Sequence, residues 1–303
     1  MNRRELIEEI NKLKKEKNAV ILAHCYEPAE VDEVADFVGD SLYLSRQAAK
    51  TNADIVVFAG VYFMAETAKI LSPEKKVLFP NLSAGCAMAD MINIDKIKKF
   101  KSENPNIPVV CYVNSTAEVK SQCDICCTSA NAVNIVKSLN TEKVLFVPDR
   151  NLGSYVQSKI NNVEVICYDG CCPIHDGLTV SDVQKQKNLY PNAKILVHPE
   201  CKKELTDLAD YVGSTTGIMN YVKESVDKEF IIVTEMGVVE RLERDYKDKK
   251  FVHISDKAVC KSMKYIDLES IFVALKEEKY EINVSESTIK EALAPIEKMI
   301  AIS

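Results

Sequence analysis

Three cysteines of this 303-residue chain recur at a nearly constant interval. The stretches KVLFPNLSAGC, VEVICYDGCC and FVHISDKAVC end at Cys86, Cys172 and Cys260, 86 and 88 positions apart. The same interval separates other side chains that can do chemistry. His24, Tyr112 and His198 each follow an apolar run and lie 88 and 86 apart. Ser41, Ser129 and Thr215 repeat at 88 and 86, each ahead of a helical apolar pattern such as Ala132, Val133, Val136 and Leu139. Asp36, Asp124 and Asp210 keep that spacing just upstream. Thiols can ligate metal, imidazole and phenol can move protons, and hydroxyls at helix starts can hold anions.

Five landmarks at a period near 87 indicate three copies of one unit. Each copy reads strand, helix, Ser/Thr, helix, strand, helix, strand, cysteine. The apolar runs (AVILA, DIVVFAG, FIIV) are short and do not alternate, as expected of parallel strands buried on both faces. Strands alternating with helices predict an α/β fold of three-layer αβα sandwiches. The expected domains are residues 1–86, 87–172 and 173–260, related by a pseudo-threefold axis around a central site. The tail, 261–303, reads as a helix, a short YEINV strand and closing helices that pack back on the first domain.

In parallel sheets, ligands bind beyond the carboxyl ends of the strands. If the three copies face one another, the repeated His/Tyr, Ser/Thr and Cys positions converge there. The net charge of −6 argues against a nucleic-acid surface. The basic runs Lys12–Lys17 and Arg241–Lys250 are interleaved with acids and read as solvated helix faces. The N-terminus lacks the apolar stretch of a signal peptide, and no run approaches a membrane span. A cytoplasmic location is expected. No Gly-rich phosphate loop is present, which favours a small anion gripped from several sides. One Ser or Thr before a helix is usually an ordinary cap; three at one face point to anion binding.

Zinc is disfavoured for the cysteines because no histidine occupies their repeat position, although His175 lies three residues after Cys172. An iron–sulfur cluster accepts thiolates from distant segments. With three ligands it leaves one iron free as a Lewis acid. Cys111 and Cys167 read as core residues, and Cys123, Cys126, Cys127 and Cys201 as bystanders. His253 reads as a core or edge histidine, and Glu235 as a residue that hydrogen-bonds at a domain interface.

At these residues the chain resembles the quinolinate synthase family. The matching stretches include AHCYEPAEVDEVADFVGDSLYLS, FAGVYFMAETAKIL, FPNLSAGCAMADM, CYVNSTAEVKSQCDICCTSANAV, FVPDRNLGSYV, GCCPIH, LVHPEC, LADYVGSTTGI and VTEMGV. They run in family order over nearly the whole chain. The resemblance implies three αβα domains around a 4Fe–4S cluster held by Cys86, Cys172 and Cys260; it selects Cys172 over Cys171, which periodicity leaves open. It implies condensation of iminoaspartate with dihydroxyacetone phosphate to quinolinate, phosphate and water. By motif position His24, Ser41, Tyr112 and Asn114 would hold the dicarboxylate. Ser129, Ser214 and Thr215 would hold carboxylate or phosphate. Tyr26 and Glu200 would be the acid–base pair, with His198 and His175 in the same cavity and Phe63 and Met64 near the substrate. An upstream imine-producing enzyme is an expected partner.

The departures from the family pattern are Glu27 where Gln is common, Asp176 where Glu is common, Cys25 beside His24, and no further cysteine after Cys260. The last removes the basis for a disulfide switch there. The rival readings are a non-catalytic iron–sulfur sensor, which lacks an output element here, and a zinc hydrolase, which lacks a three-ligand motif with a nearby base.

Overall fold

A computed structural model describes residues 1–302. Its twelve named strands form three four-stranded sheets. The first holds β1 (Ala19–His24), β2 (Phe37–Gly39), β3 (Ile55–Ala59) and β4 (Lys76–Leu78). The second holds β5 (Val109–Tyr112), β6 (Ile125–Cys127), β7 (Lys143–Val147) and β8 (Glu164–Cys167). The third holds β9 (Lys194–Val197), β10 (Tyr211–Val212), β11 (Glu229–Val233) and β12 (Lys250–His253). Each sheet is parallel with one order, β2-β1-β3-β4 and its two equivalents. The predicted α/β class with three αβα layers is the one observed. The central strands are buried along nearly their whole length, which explains their lack of alternation.

The helices are α1 (Arg3–Glu16), α2 (Ser41–Lys50), α3 (Tyr62–Leu71), α4 (Ile94–Glu103), α5 (Ala117–Ser121), α6 (Ala132–Ser138), α7 (Arg150–Ser158), α8 (Pro173–Asp176), α9 (Val180–Leu189), α10 (Lys203–Thr206), α11 (Thr215–Glu224), α12 (Met236–Asp245), α13 (Leu268–Glu277) and α14 (Glu286–Ile302). None among the described residues is long and apolar enough to cross a membrane.

One element per copy was missing from the sequence reading. The edge strands β2, β6 and β10 lie directly ahead of the Ser/Thr positions, and at two or three residues they are too short to leave a periodic signal. The repeated aspartates hold these edges in place. The Asp36 carboxylate accepts from Ile21 N at 2.8 Å, Asp124 from Val109 N at 2.7 Å and Asp210 from Ile195 N at 2.8 Å. Each also meets a lysine: Lys14 and Lys101 at 2.8 Å, Lys194 at 3.1 Å. This clip pins the start of each edge strand to the start of its central neighbour.

Three other expectations are corrected. The tail divides between copies. Residues Tyr280–Ile282 bond antiparallel to the β4 edge, and α13 packs on α1, both in the first copy. The last helix, α14, packs mainly on α5 and β6 of the second copy and also on α3 of the first, burying Ile296 and Met299. The YEINV segment forms an isolated bridge rather than a strand. The run from Arg241 is not a wholly solvated face. Arg241 is buried, donates to Cys25 O at 2.7 Å through Nε, and pairs with Asp32. It therefore ties α12 of the third copy to the first.

Candidate active site

Order 2-1-3-4 places a switch point between the first and third strands of each sheet, where connections leave in opposite directions and open a crevice. The three crevices face one cavity of about 540 Å³. Of the residues singled out in sequence, His24, Tyr26, Ser41, Phe63, Met64, Cys86, Tyr112, Asn114, Ser129, Cys172, His175, His198, Glu200, Thr215 and Cys260 all line it. Ser214 does not; its hydroxyl turns back to accept from Gly217 N at 3.2 Å and caps α11. Cys171 is also outside the lining, its N–H directed at the Met91 sulfur, so neighbouring Cys172 alone of the pair faces inward.

The repeat reaches further than the sequence reading took it. Two residues beyond His24, Tyr112 and His198 come Tyr26, Asn114 and Glu200, all three in the lining. The turns that carry them share a device in two copies: Tyr26 N donates to His24 Nδ1 at 3.2 Å and Glu200 N to His198 Nδ1 at 3.4 Å. Each histidine thus fixes the turn that presents the residue two further on.

A chain of hydrogen bonds crosses the cavity wall. Tyr112 Oη donates to Glu200 Oε1, and Glu200 Oε2 lies 2.8 Å from His175 Nδ1. His175 Nε2 lies 2.9 Å from Thr234 Oγ1, and Thr234 Oγ1 is 3.0 Å from Tyr26 Oη. Tyr26 Oη also meets Thr215 Oγ1 at 3.1 Å. Residues from all three copies share this network. Thr234 is the link that sequence reading missed. Its neighbour Glu235, expected only at an interface, lines the cavity.

Burial dominates the electrostatics. It lowers His24 and His198 to about 3, with Arg241 adding to the effect on His24. Both rings are therefore neutral hydrogen-bonding groups. Burial pushes Glu200 up, but the His175 and His198 imidazoles and the Tyr112 hydroxyl outweigh it and hold the carboxyl down at about 2. Burial and the Glu200 charge raise both Tyr26 and Tyr112 well above a free phenol. At rest Glu200 is an ionised carboxylate in one cavity with the protonated phenols of Tyr26 and Tyr112, a hydrogen-bond acceptor among hydrogen-bond donors.

The three cysteine thiols sit on the loops after β4, β8 and β12. Burial raises each, Cys86 to about 12. Backbone N–H groups from Ala89, His175 and Met263, each three residues on, act in the opposite sense and favour the thiolate. A metal's positive charge works in the same direction. Separately, Cys172 Sγ, His175 and Glu200 place ligand atoms within 4.8 Å of one another. Cys123 and Cys126 form a C-x-x-C pair. These two, with Cys127 and Cys201, are buried away from the cavity lining. Cys111 is in the core, Cys167 is half-buried on β8, and His253 ends the edge strand β12.

Three parallel sheets of one topology, with thiol, imidazole, carboxylate and phenol groups gathered where they meet, define an α/β enzyme with a central, metal-competent active site. A family model described as "Quinolinate synthetase A protein" matches residues 8–301. Quinolinate synthase of Alkaliphilus metalliredigens is 51% identical over 302 residues, covering 100% of both chains. Quinolinate synthase 2 of Methanosarcina acetivorans is 48% identical, covering 100% of this chain and 97% of its own. The Caldicellulosiruptor bescii quinolinate synthase is 47% identical over 99% of each. The chain belongs to the quinolinate synthase family, enzymes of NAD biosynthesis.

Proposed function

We propose that this enzyme condenses iminoaspartate with dihydroxyacetone phosphate, releasing quinolinate, phosphate and water. We further propose that Cys86, Cys172 and Cys260 hold a 4Fe–4S cluster. The observation that carries the reading is the convergence of these three thiols, one per copy, on the cavity crossed by the Tyr112–Glu200–His175–Thr234–Tyr26 network.

The donor set fits the group. Three thiols reach in from three separate loops, each with a backbone N–H favouring its thiolate, and a three-thiolate cluster keeps one coordination position for substrate. When bound, such a cluster supplies a Lewis acid that eases loss of hydroxyl as water. The protein's own residues do the rest. Ser41 and Thr215 open α2 and α11, where unpaired N–H groups favour carboxylate or phosphate. Ser129, ahead of α6, adds a third hydroxyl, and Ser214 steadies the α11 start rather than touching substrate. His24 and His198, neutral, offer hydrogen bonds without charge, and Tyr112 and Asn114 complete the grip on the dicarboxylate. Glu200 accepts a proton from the substrate carbon or nitrogen. Tyr26 returns one to the departing oxygen, with His175 and Thr234 joining the two. Phe63 and Met64 close the apolar wall and exclude water. An imine-producing enzyme is the natural upstream partner, because the imine hydrolyses in water.

The deciding experiment is an anaerobic assay on metal-quantified protein. About four irons per chain, with quinolinate formed from the two substrates, is the expected result. One non-iron metal per chain would instead favour a single ion on Cys172, His175 and Glu200. Full iron without turnover would favour a sensor.

A further inference from the structure

The cysteine loops are held by a device that two copies have and one lacks. In every copy the first helical N–H after the third strand bonds the carbonyl two residues before the cysteine. Tyr62 N donates to Ala84 O at 2.9 Å, Arg150 N to Gly170 O and Met236 N to Ala258 O, both at 2.8 Å. The residue just ahead of each of these donors is Val61, Asp149 or Glu235, again 88 and 86 apart.

Asp149 is fully buried and uses both oxygens. Oδ1 accepts from Asn151 N at 2.7 Å and Leu152 N at 2.9 Å, capping α7; Oδ2 accepts from Cys172 N at 3.3 Å. Glu235, 1% exposed, repeats the pattern. Oε2 accepts from Gly237 N at 2.6 Å, capping α12, and Oε1 accepts from Cys260 N at 3.1 Å and meets Lys264 Nζ at 3.3 Å. A helix cap alone is satisfied by Ser, Thr or Asn on the surface, and burying a carboxylate is costly unless its oxygens are bonded. The second oxygen has a specific use in both copies: it holds the N–H of an inward-facing cysteine. Val61 offers nothing comparable, and no acceptor among the described residues meets the Cys86 N–H.

We propose that Asp149 and Glu235 are positioning residues that lock Cys172 and Cys260 in ligating orientation, while Cys86 rides on the least constrained of the three loops. This rests on the reading of the three cysteines as cluster ligands. Groups that orient ligands from behind typically alter metal affinity by 10- to 100-fold when changed.

The substitutions Asp149→Asn and Glu235→Gln separate the two jobs. One amide oxygen can still cap the helix, but the amide nitrogen cannot accept from the cysteine N–H. Asp267→Asn, at the cap of α13 and away from the cavity, controls for cap chemistry. Each protein is reconstituted anaerobically, its iron and sulfide are counted, and its iron release to a chelator is timed. The expected result is release at least about tenfold faster in Asp149→Asn and Glu235→Gln, with far-UV circular dichroism unchanged and Asp267→Asn like the parent. Parental release rates in both variants would overturn the proposal. Should a variant not fold, amide hydrogen exchange on the unsubstituted protein decides. Cys172 and Cys260 N–H are expected to exchange at least about tenfold slower than Cys86 N–H, and equal rates overturn the proposal. A parent that takes up no iron refutes the cluster reading itself, a result distinct from parental iron release in the variants.

Discussion

Glu200 is the residue on which most of the site's hydrogen bonding turns. It is ionised while buried because His175, His198 and Tyr112 surround it. Glu200→Gln keeps the shape and one acceptor for Tyr112 but removes the charge. Under the proposed role, kcat falls by roughly 10²–10⁴-fold with iron content unchanged; steady-state kinetics on metal-quantified protein reads this, and a parental kcat would remove Glu200 from proton transfer. His24 and His198 give a second prediction. A free imidazole is mostly charged at pH 5. Burial disfavours the charged form, and both rings titrate only near 3. Nitrogen-15 NMR of labelled, metal-free protein at pH 5 is expected to show both neutral. Imidazolium shifts at that pH would mean the cavity is far wetter than its geometry indicates. The repeated histidines and cysteines were legible in sequence through type and spacing, and Tyr26 through the family resemblance. Thr234 and Asp149 were not, because a lone Thr or Asp at a strand end looks the same whether or not a partner waits across the cavity.

At the scale of elements, the aspartate clips decide whether the edge strands form. A two- or three-residue strand cannot hold itself in register, and a carboxylate accepting from its neighbour's first N–H does so instead. Asp124→Ala leaves the buried Val109 N–H without that acceptor, with an expected loss of about 1–3 kcal/mol. Asp124→Asn retains an oxygen for Val109 and loses only the half-exposed pairing with Lys101, with an expected loss of under about 1 kcal/mol. Urea midpoints of the two variants test this; equal losses would show that the ion pair, not the backbone bond, matters. The repeat of these aspartates was visible in sequence, but their purpose was not, because strands so short carry no hydrophobic period.

At the scale of the molecule, the site belongs to no single copy. Tyr26 comes from the first, Tyr112 from the second and Glu200 from the third, so the spacing of reactive groups depends on how the sheets are fastened together. Arg241 is one fastener, buried against Asp32 and the Cys25 carbonyl. Asn151 is another, donating to Glu200 O at 3.0 Å across the second and third copies. Arg241→Met leaves Asp32 with Arg244, whose Nη1 lies 2.6 Å from Oδ2, but takes the Nε donor from the buried Cys25 carbonyl, which costs about 1–3 kcal/mol. Chemical denaturation is expected to show that loss, together with a raised KM, because Cys25 directly precedes Tyr26. An unchanged midpoint would mean the first and third copies are held mainly by apolar contact.

Local chemistry is written along the chain. Apolar runs without alternation dictate parallel buried strands, and a period near 87 dictates three equivalent copies whose reactive residues share one end. Three-dimensional packing alone decided the matters that depend on distant partners. It turned Ser214 back to its own helix and laid α14 across the second copy and α3 of the first. It also buried a basic residue that charge patterning placed in solvent. Periodicity records which side of an element is apolar, whereas the identity of the surface it meets is fixed only when segments a hundred or more residues apart compete for the same buried area.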